Sequence, residues 1–183
     1  MANKRLDGGR KRVIAIAGTS LVHHISTADQ IELMRFTGEQ MAGRGVLMSG
    51  LVPNPIDDAG KILKAQANAP FPPDVYLIMP LSGVSNGEGI FQNYINFAER
   101  YGSSYGARFL YYLRNSSELG VAVRLINNSP YFIGIKIGTN EADVVPAVEG
   151  VKKGCGMVIW GIGDCSTRPA ELCLLYTSDA ADE

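Results

Sequence analysis

The sequence predicts an α/β fold built on a parallel sheet. Short apolar segments alternate with amphipathic ones, giving six βα units at a spacing of roughly 25–30 residues. The apolar segments are nearly continuous, as strands buried on both faces are. Such alternation calls for crossover helices between parallel strands. Two architectures share the signal, an open doubly wound sheet and a (β/α)8 barrel. No GxGxxG follows the first strand and no GxxxxGK[ST] occurs, which lowers the nucleotide-binding reading. A full barrel needs eight units and about 250 residues. In the barrel reading, two units are therefore missing from these 183 residues.

Val13–Ala17 is a short apolar run typical of a strand buried on both faces. Ser26-Thr27-Ala28-Asp29 is set to cap a helix through about Gln40, with Ile31, Leu33, Met34 and Phe36 roughly on one face. Gly45–Val52 is the next strand, and Pro53-Asn54-Pro55 breaks the chain. Ile56–Asn68 is a helix with Ile56, Ala59, Ile62 and Leu63 on one face. After the rigid turn Ala69–Pro73 come a strand over Asp74–Met79 and a helix over Glu88–Tyr101. Arg108–Leu113 is a strand and Ser117–Asn127 a helix. The strand in Tyr131–Asn140, a helix through about Lys152 and the strand Met157–Trp160 complete the alternation.

The chain carries 17 basic and 18 acidic side chains and is 46% hydrophobic. A net charge of -1 gives no electrostatic footprint for nucleic acid or an anionic membrane. No apolar run approaches the ~18 residues of a membrane span. The basic start and brief apolar run at the N-terminus are too short for a signal peptide and read better as a strand. Cys155, Cys165 and Cys173 form no recognisable metal or disulfide framework, and a cytoplasmic location is expected. Asn115-Ser116-Ser117 and Asn127-Asn128-Ser129 match a glycosylation pattern that has meaning only in a secreted protein. The last eleven residues, CLLYTSDAADE, fit nothing before them and resemble translated read-through of a sequencing adaptor. The natural sequence is expected to stop near Leu172, with 173–183 outside the fold.

The segment YFIGIKIGTN raises the question of chemistry, because an apolar strand carries one ammonium, Lys136, near its end. Alternation puts Ile133, Ile135 and Ile137 on one face and Phe132, Gly134 and Lys136 on the other. In a barrel the isoleucines pack on helices and Lys136 enters near the C-terminal mouth, where catalytic groups of this fold sit. Burial lowers a lysine's pKa, and a neutral amine forms a Schiff base with a carbonyl. The competing reading is a strand-end lysine that snorkels to water. In the preceding strand Phe109, Tyr111 and Leu113 share one face, and Leu110, Tyr112 and Arg114 the other. With neighbouring strands ~4.8 Å apart, Tyr111 is expected to point inward beside Lys136 as a proton donor and acceptor. The competing reading makes both tyrosines core aromatics.

From about Arg12 to Ala170 the chain resembles the dihydrodipicolinate synthase / N-acetylneuraminate lyase superfamily, class I Schiff-base lyases on a (β/α)8 barrel. The resemblance is carried in order by Gly18-Thr19-Ser20, the Ser26–Gln30 helix start and its exit Ala42-Gly43-Arg44, Met79-Pro80, Gly87-Glu88-Gly89, Phe109-Leu110-Tyr111 and, most specifically, Ile133-Gly134-Ile135-Lys136. It implies a partial barrel, strands two to seven, over residues 1–172. It implies that Lys136 forms an imine with pyruvate or another 2-oxo acid, that Tyr111 shuttles protons, and that Thr19 and Ser20 bind the substrate carboxylate or pass protons. It implies no metal or organic cofactor, and a homo-oligomeric parent protein.

The sequence also departs from that family. Tyr111 is followed by Tyr112-Leu113-Arg114-Asn115-Ser116 where the family commonly has an Asn-Val-Pro-Gly-Arg type loop, with Arg114 at the proline's place. Leu81-Ser82 replace two tyrosines, and Leu21-Val22-His23-His24 replace Gly-Glu. These changes point to a divergent member acting on another 2-oxo acid or a sugar acid. The alternatives are a sugar-acid dehydratase using the same lysine, and a non-catalytic fragment that binds a partner or metabolite. His23 and His24 face opposite ways if extended and have no nearby third ligand. Asp164, the Ser82–Gly89 loop and Trp160 each have an ordinary turn, helix-start or core explanation.

Overall fold

The computed structural model describes residues 13–17, 22–81, 83, 85–138 and 157–160, the last stretch by its backbone. The predicted helix through about Lys152, Thr19, Ser20, Asp164, the three cysteines and the 173–183 tail lie outside the described residues. The chain divides into two compact units, one of residues 1–79 and 101–108, the other of residues 80–100 and 109–183.

The first unit holds strands β1 (Val13–Ile16), β2 (Val46–Leu51) and β3 (Val75–Ile78), paired in parallel in that order. Helix α1 (Thr27–Met41) is capped as the sequence predicts: the Ser26 hydroxyl accepts from the Asp29 amide at 3.1 Å. Arg44 closes its other end by donating to the Met41 and Gln40 carbonyls. The buried stripe of α1 is Gln30, Met34, Gly38 and Met41. This corrects the expected face, since Leu33 and Phe36 are exposed. Met34 and Met41 pack with Leu47, Ile14 and Ile16. β1 is half-exposed instead of buried on both faces, because among the described residues it pairs with β2 alone. Helix α2 (Ile56–Ala67) buries Ala59, Ile62 and Leu63 as its spacing predicts. Asp74 clamps the start of β3 to β2: its carboxylate accepts from the Leu47 amide at 2.8 Å, and its own amide donates to the Leu47 carbonyl at 2.9 Å.

The second unit holds β4 (Phe109–Leu113), β5 (Phe132–Ile137) and β6 (Met157–Trp160), also parallel and in that order. All five residues of β4 are buried, as a continuous apolar strand requires. Helix α3 (Gly87–Tyr105) contributes residues 87–100 to this unit. Asn115 caps a single 3-10 turn by accepting from the Ser117 amide, and helix α4 (Leu119–Asn128) continues from it. Helix α4 packs on β4 and β5. Arg124 of α4 pairs with Glu88 of α3 at 2.9 Å, across the exposed side of the two helices.

Candidate functional site

Two consecutive tyrosines on β4 point to opposite sides, as period-two geometry demands. The helix side is defined by ring contacts. Phe109 meets Phe97 of α3 with ring centroids 5.8 Å apart, and Tyr111 meets Tyr94 of α3 at 5.9 Å. The Tyr111 hydroxyl donates to Glu118 Oε2 at 2.6 Å in a buried setting. Burial, that hydrogen bond and the Glu118 charge push the Tyr111 phenol far above the ordinary tyrosine range. Burial and Glu118 also raise Tyr94. Tyr111 is therefore a protonated donor locked to a carboxylate on the helix side.

Tyr112 occupies the other side, in register with Lys136 of β5. The Lys136 Nζ lies 4.2 Å from the centre of the Tyr112 ring. The expected placement of Tyr111 beside Lys136 is thus corrected: Tyr112 holds that position. The physical reason is the pairing of β4 with β5. Phe109 pairs with Phe132 but Leu110 with Gly134, so Ile133 is an extra residue at a β-bulge. The bulge breaks the alternation after Phe132, whose ring meets that of Phe109 at 5.6 Å. Beyond it, Tyr111 pairs with Ile135 and Tyr112 with Lys136. Ile135 and Ile137 are fully buried, as the sequence reading expects.

Lys136 is half-buried, and its ammonium pKa is lowered first by burial and then by the nearby Arg114 charge. Arg114 stands just past β4 with its Cζ 5.7 Å from the centre of the same Tyr112 ring. Gly138, one residue past β5, completes the arrangement. Its amide donates to the Leu113 carbonyl at 2.8 Å. A Cβ at this position would stand 2.6 Å from Tyr112 Cε2 and 3.1 Å from its hydroxyl. The missing side chain is what lets the phenol lie over the strand end. Lys136, Tyr112, Arg114 and Gly138 thus stand together where parallel β4 and β5 end, and the amine has a phenol and a second cation beside it.

Sequence reasoning singled out Lys136 but placed Tyr111, not Tyr112, beside it. The signal was present, since Leu110, Tyr112 and Arg114 were already one face. Among the described residues no three His, Cys, Asp or Glu side chains gather as a metal site, and no helix is long and apolar enough to cross a membrane.

No protein-family model matches the sequence. No curated protein matches it either. Solved structures do match. Dihydrodipicolinate synthase from Oceanobacillus iheyensis is similar with a TM-score of 0.73 and 18% identity, over 94% of this chain and 57% of that one. The chloride-inhibited dihydrodipicolinate synthase from Acinetobacter baumannii, complexed with pyruvate, has a TM-score of 0.66 and 19% identity over 87% of this chain and 55% of that one. The 2-keto 3-deoxygluconate aldolase from Picrophilus torridus has a TM-score of 0.66 and 14% identity over 87% and 58%. The chain spans little more than half the length of these proteins. Its fold class is α/β, a partial (β/α)8 barrel, and it shares that fold with these lyases.

Proposed function

We propose that the chain is part of a class I, Schiff-base-forming lyase of the dihydrodipicolinate synthase / N-acetylneuraminate lyase superfamily, acting on pyruvate or another 2-oxo acid. The observation that carries this reading is the half-buried Lys136 amine, 4.2 Å from the Tyr112 ring at the strand ends of a fold shared with such lyases. The lowered pKa favours the neutral amine that the chemistry needs.

In this reading the Lys136 nitrogen adds to the ketone carbon and forms a carbinolamine. The C–N bond is kept, the C–O bond breaks, and the oxygen leaves as water after receiving a proton. The resulting iminium draws electrons from the adjacent carbon, so that a carbon–carbon bond beside it can break or form. In this reading Tyr112, whose ring lies beside the amine, relays the proton to the leaving hydroxyl and takes the shuttle role first expected of Tyr111. Thr19 and Ser20 remain proposed contributors to carboxylate binding.

Incubation of the full chain with pyruvate and borohydride, followed by peptide mass spectrometry, tests the reading. The expected product is a reduced pyruvate adduct on Lys136. A folded protein that gives no adduct with pyruvate or with a panel of longer 2-oxo acids would overturn it.

A further inference from the structure

We propose that Lys136 is a carbon dioxide site, whose amine takes up carbon dioxide as a carbamate with Arg114 as the counter-charge. The modification uses the nitrogen of the proposed imine but does not depend on that imine. The Lys136 Nζ lies 4.2 Å from the centre of the Tyr112 ring, and the Arg114 Cζ lies 5.7 Å from the same centre. Two cations so placed repel each other. Among the described residues no carboxylate forms an ion pair with Arg114, whereas Arg35 pairs with Glu32 and Glu39, and Arg124 with Glu88. Glu118, four residues on, accepts from Tyr111 on the other side of β4. The pair of cations thus lacks a negative charge, and a carbamate supplies one on the lysine itself.

Only a neutral amine attacks carbon dioxide, and an ordinary lysine, with a pKa of about 10.4, is almost wholly charged at neutral pH. Lys136 departs from that. It is half-buried, and burial and then the Arg114 charge lower its pKa. In the step itself the nitrogen lone pair attacks the carbon of carbon dioxide. A C–N bond forms, one C=O π bond breaks and its electrons pass to oxygen, and the proton shed by nitrogen goes to water. Nothing is oxidised or reduced, and the products are a carbamate and a proton. The repulsion from Arg114 becomes an attraction, and the exposed guanidinium presents a fork of donors that matches two carbamate oxygens. Lys61 shows the contrast. It is exposed and paired with Asp58, which raises its pKa and would repel a carbamate. A carbamate on Lys136 removes the nucleophile, so carbon dioxide acts as a reversible inhibitor of carbonyl chemistry at this amine.

Trapping on the full chain tests this. The folded protein is equilibrated with isotopically labelled bicarbonate, ethylated with triethyloxonium to fix any carbamate as its ester, and read by peptide mass spectrometry. The expected product is a labelled ethyl carbamate on Lys136, at least about tenfold more abundant than on Lys61 or Lys64. In urea the selectivity is expected to vanish. No trapped carbamate on Lys136 in the folded chain, or equal labelling of all three lysines, overturns the proposal. Arg114→Gln is expected to lower the trapped carbamate about tenfold, with Arg114→Lys recovering part of the loss. An unchanged yield in Arg114→Gln overturns the counter-charge assignment. Bicarbonate is also expected to lower the yield of the borohydride-reduced pyruvate adduct on Lys136. A carbamate without any pyruvate adduct sustains this inference and removes the imine reading, whereas a pyruvate adduct without a carbamate does the reverse.

Discussion

Lys136 and Tyr112 face each other across paired strands, with the ammonium nitrogen 4.2 Å from the centre of the phenol ring. Tyr111, one residue away, is held on the opposite side by Glu118 at 2.6 Å. The two tyrosines are expected to fail differently when each loses its hydroxyl. Tyr112→Phe should slow borohydride-trapped adduct formation by about 10²-fold, the lower range for a lost general acid–base group, with little change in the urea midpoint. Tyr111→Phe should lower stability by about 1–3 kcal/mol, because Glu118 loses a buried donor, and should leave trapping nearly intact. The reverse pattern would restore Tyr111 as the proton shuttle.

Lys136 gives a pH dependence with a defined sign. Its folded-state pKa is lowered, so the unfolded chain binds the proton up to higher pH. Between the two pKa values the unfolded state holds more protons, and stability rises with pH across that window. Below the folded value both states are charged and the full cost of burial applies. Lys136→Met is therefore expected to raise the urea midpoint at neutral pH, with the gain shrinking toward the ordinary lysine pKa of about 10.4. Paired urea titrations across that range check both the sign and the window.

Gly138→Ala is expected to disturb the site more than the fold. The added methyl would meet the Tyr112 ring at 2.6 Å and force the phenol away from the strand end. Trapping with pyruvate should fall by about tenfold or more, on the ground that a small misplacement of a reacting group is costly in rate. Circular dichroism should be unchanged.

In the other unit, Gly50 offers a stability test remote from the site. A Cβ on this β2 residue would lie 2.8 Å from the Ala17 Cα and 3.1 Å from the Met79 Cε. Gly50→Ala is expected to cost about 1–3 kcal/mol by overpacking against backbone, measured as a lower urea midpoint.

Much of the fold was legible because the strands are apolar runs bounded by turn residues: five of the six appear within two residues of their expected ends, and β5 ends three residues before Asn140. The helix face of α1 was not legible. Its buried stripe includes Gln30 and Gly38, which carry no apolar signal, while Phe36 is exposed. Lys136 was legible because a single ammonium in FIGIKI breaks the pattern around it. Its partner was not. Alternation sorts each strand into two faces but does not say which faces of two strands coincide, and that depends on main-chain pairing. Here the bulge at Ile133 changes the pairing between Phe109 and Leu110, and no residue type in either strand announces it.

The division of labour along β4 has a consequence for how such a protein diversifies. The side that faces α3 carries Phe109, Tyr111 and their aromatic partners, while Tyr112 and Arg114 stand at the strand's end on the other side. Substitutions at 114 leave both the aromatic packing and the Asn115 cap untouched, so that position can vary at little cost in stability. A combinatorial library restricted to Arg114 and Ser116 would explore ligand range while keeping the Asn115 cap and the aromatic packing. The same economy gives natural selection a short route from one ligand to another.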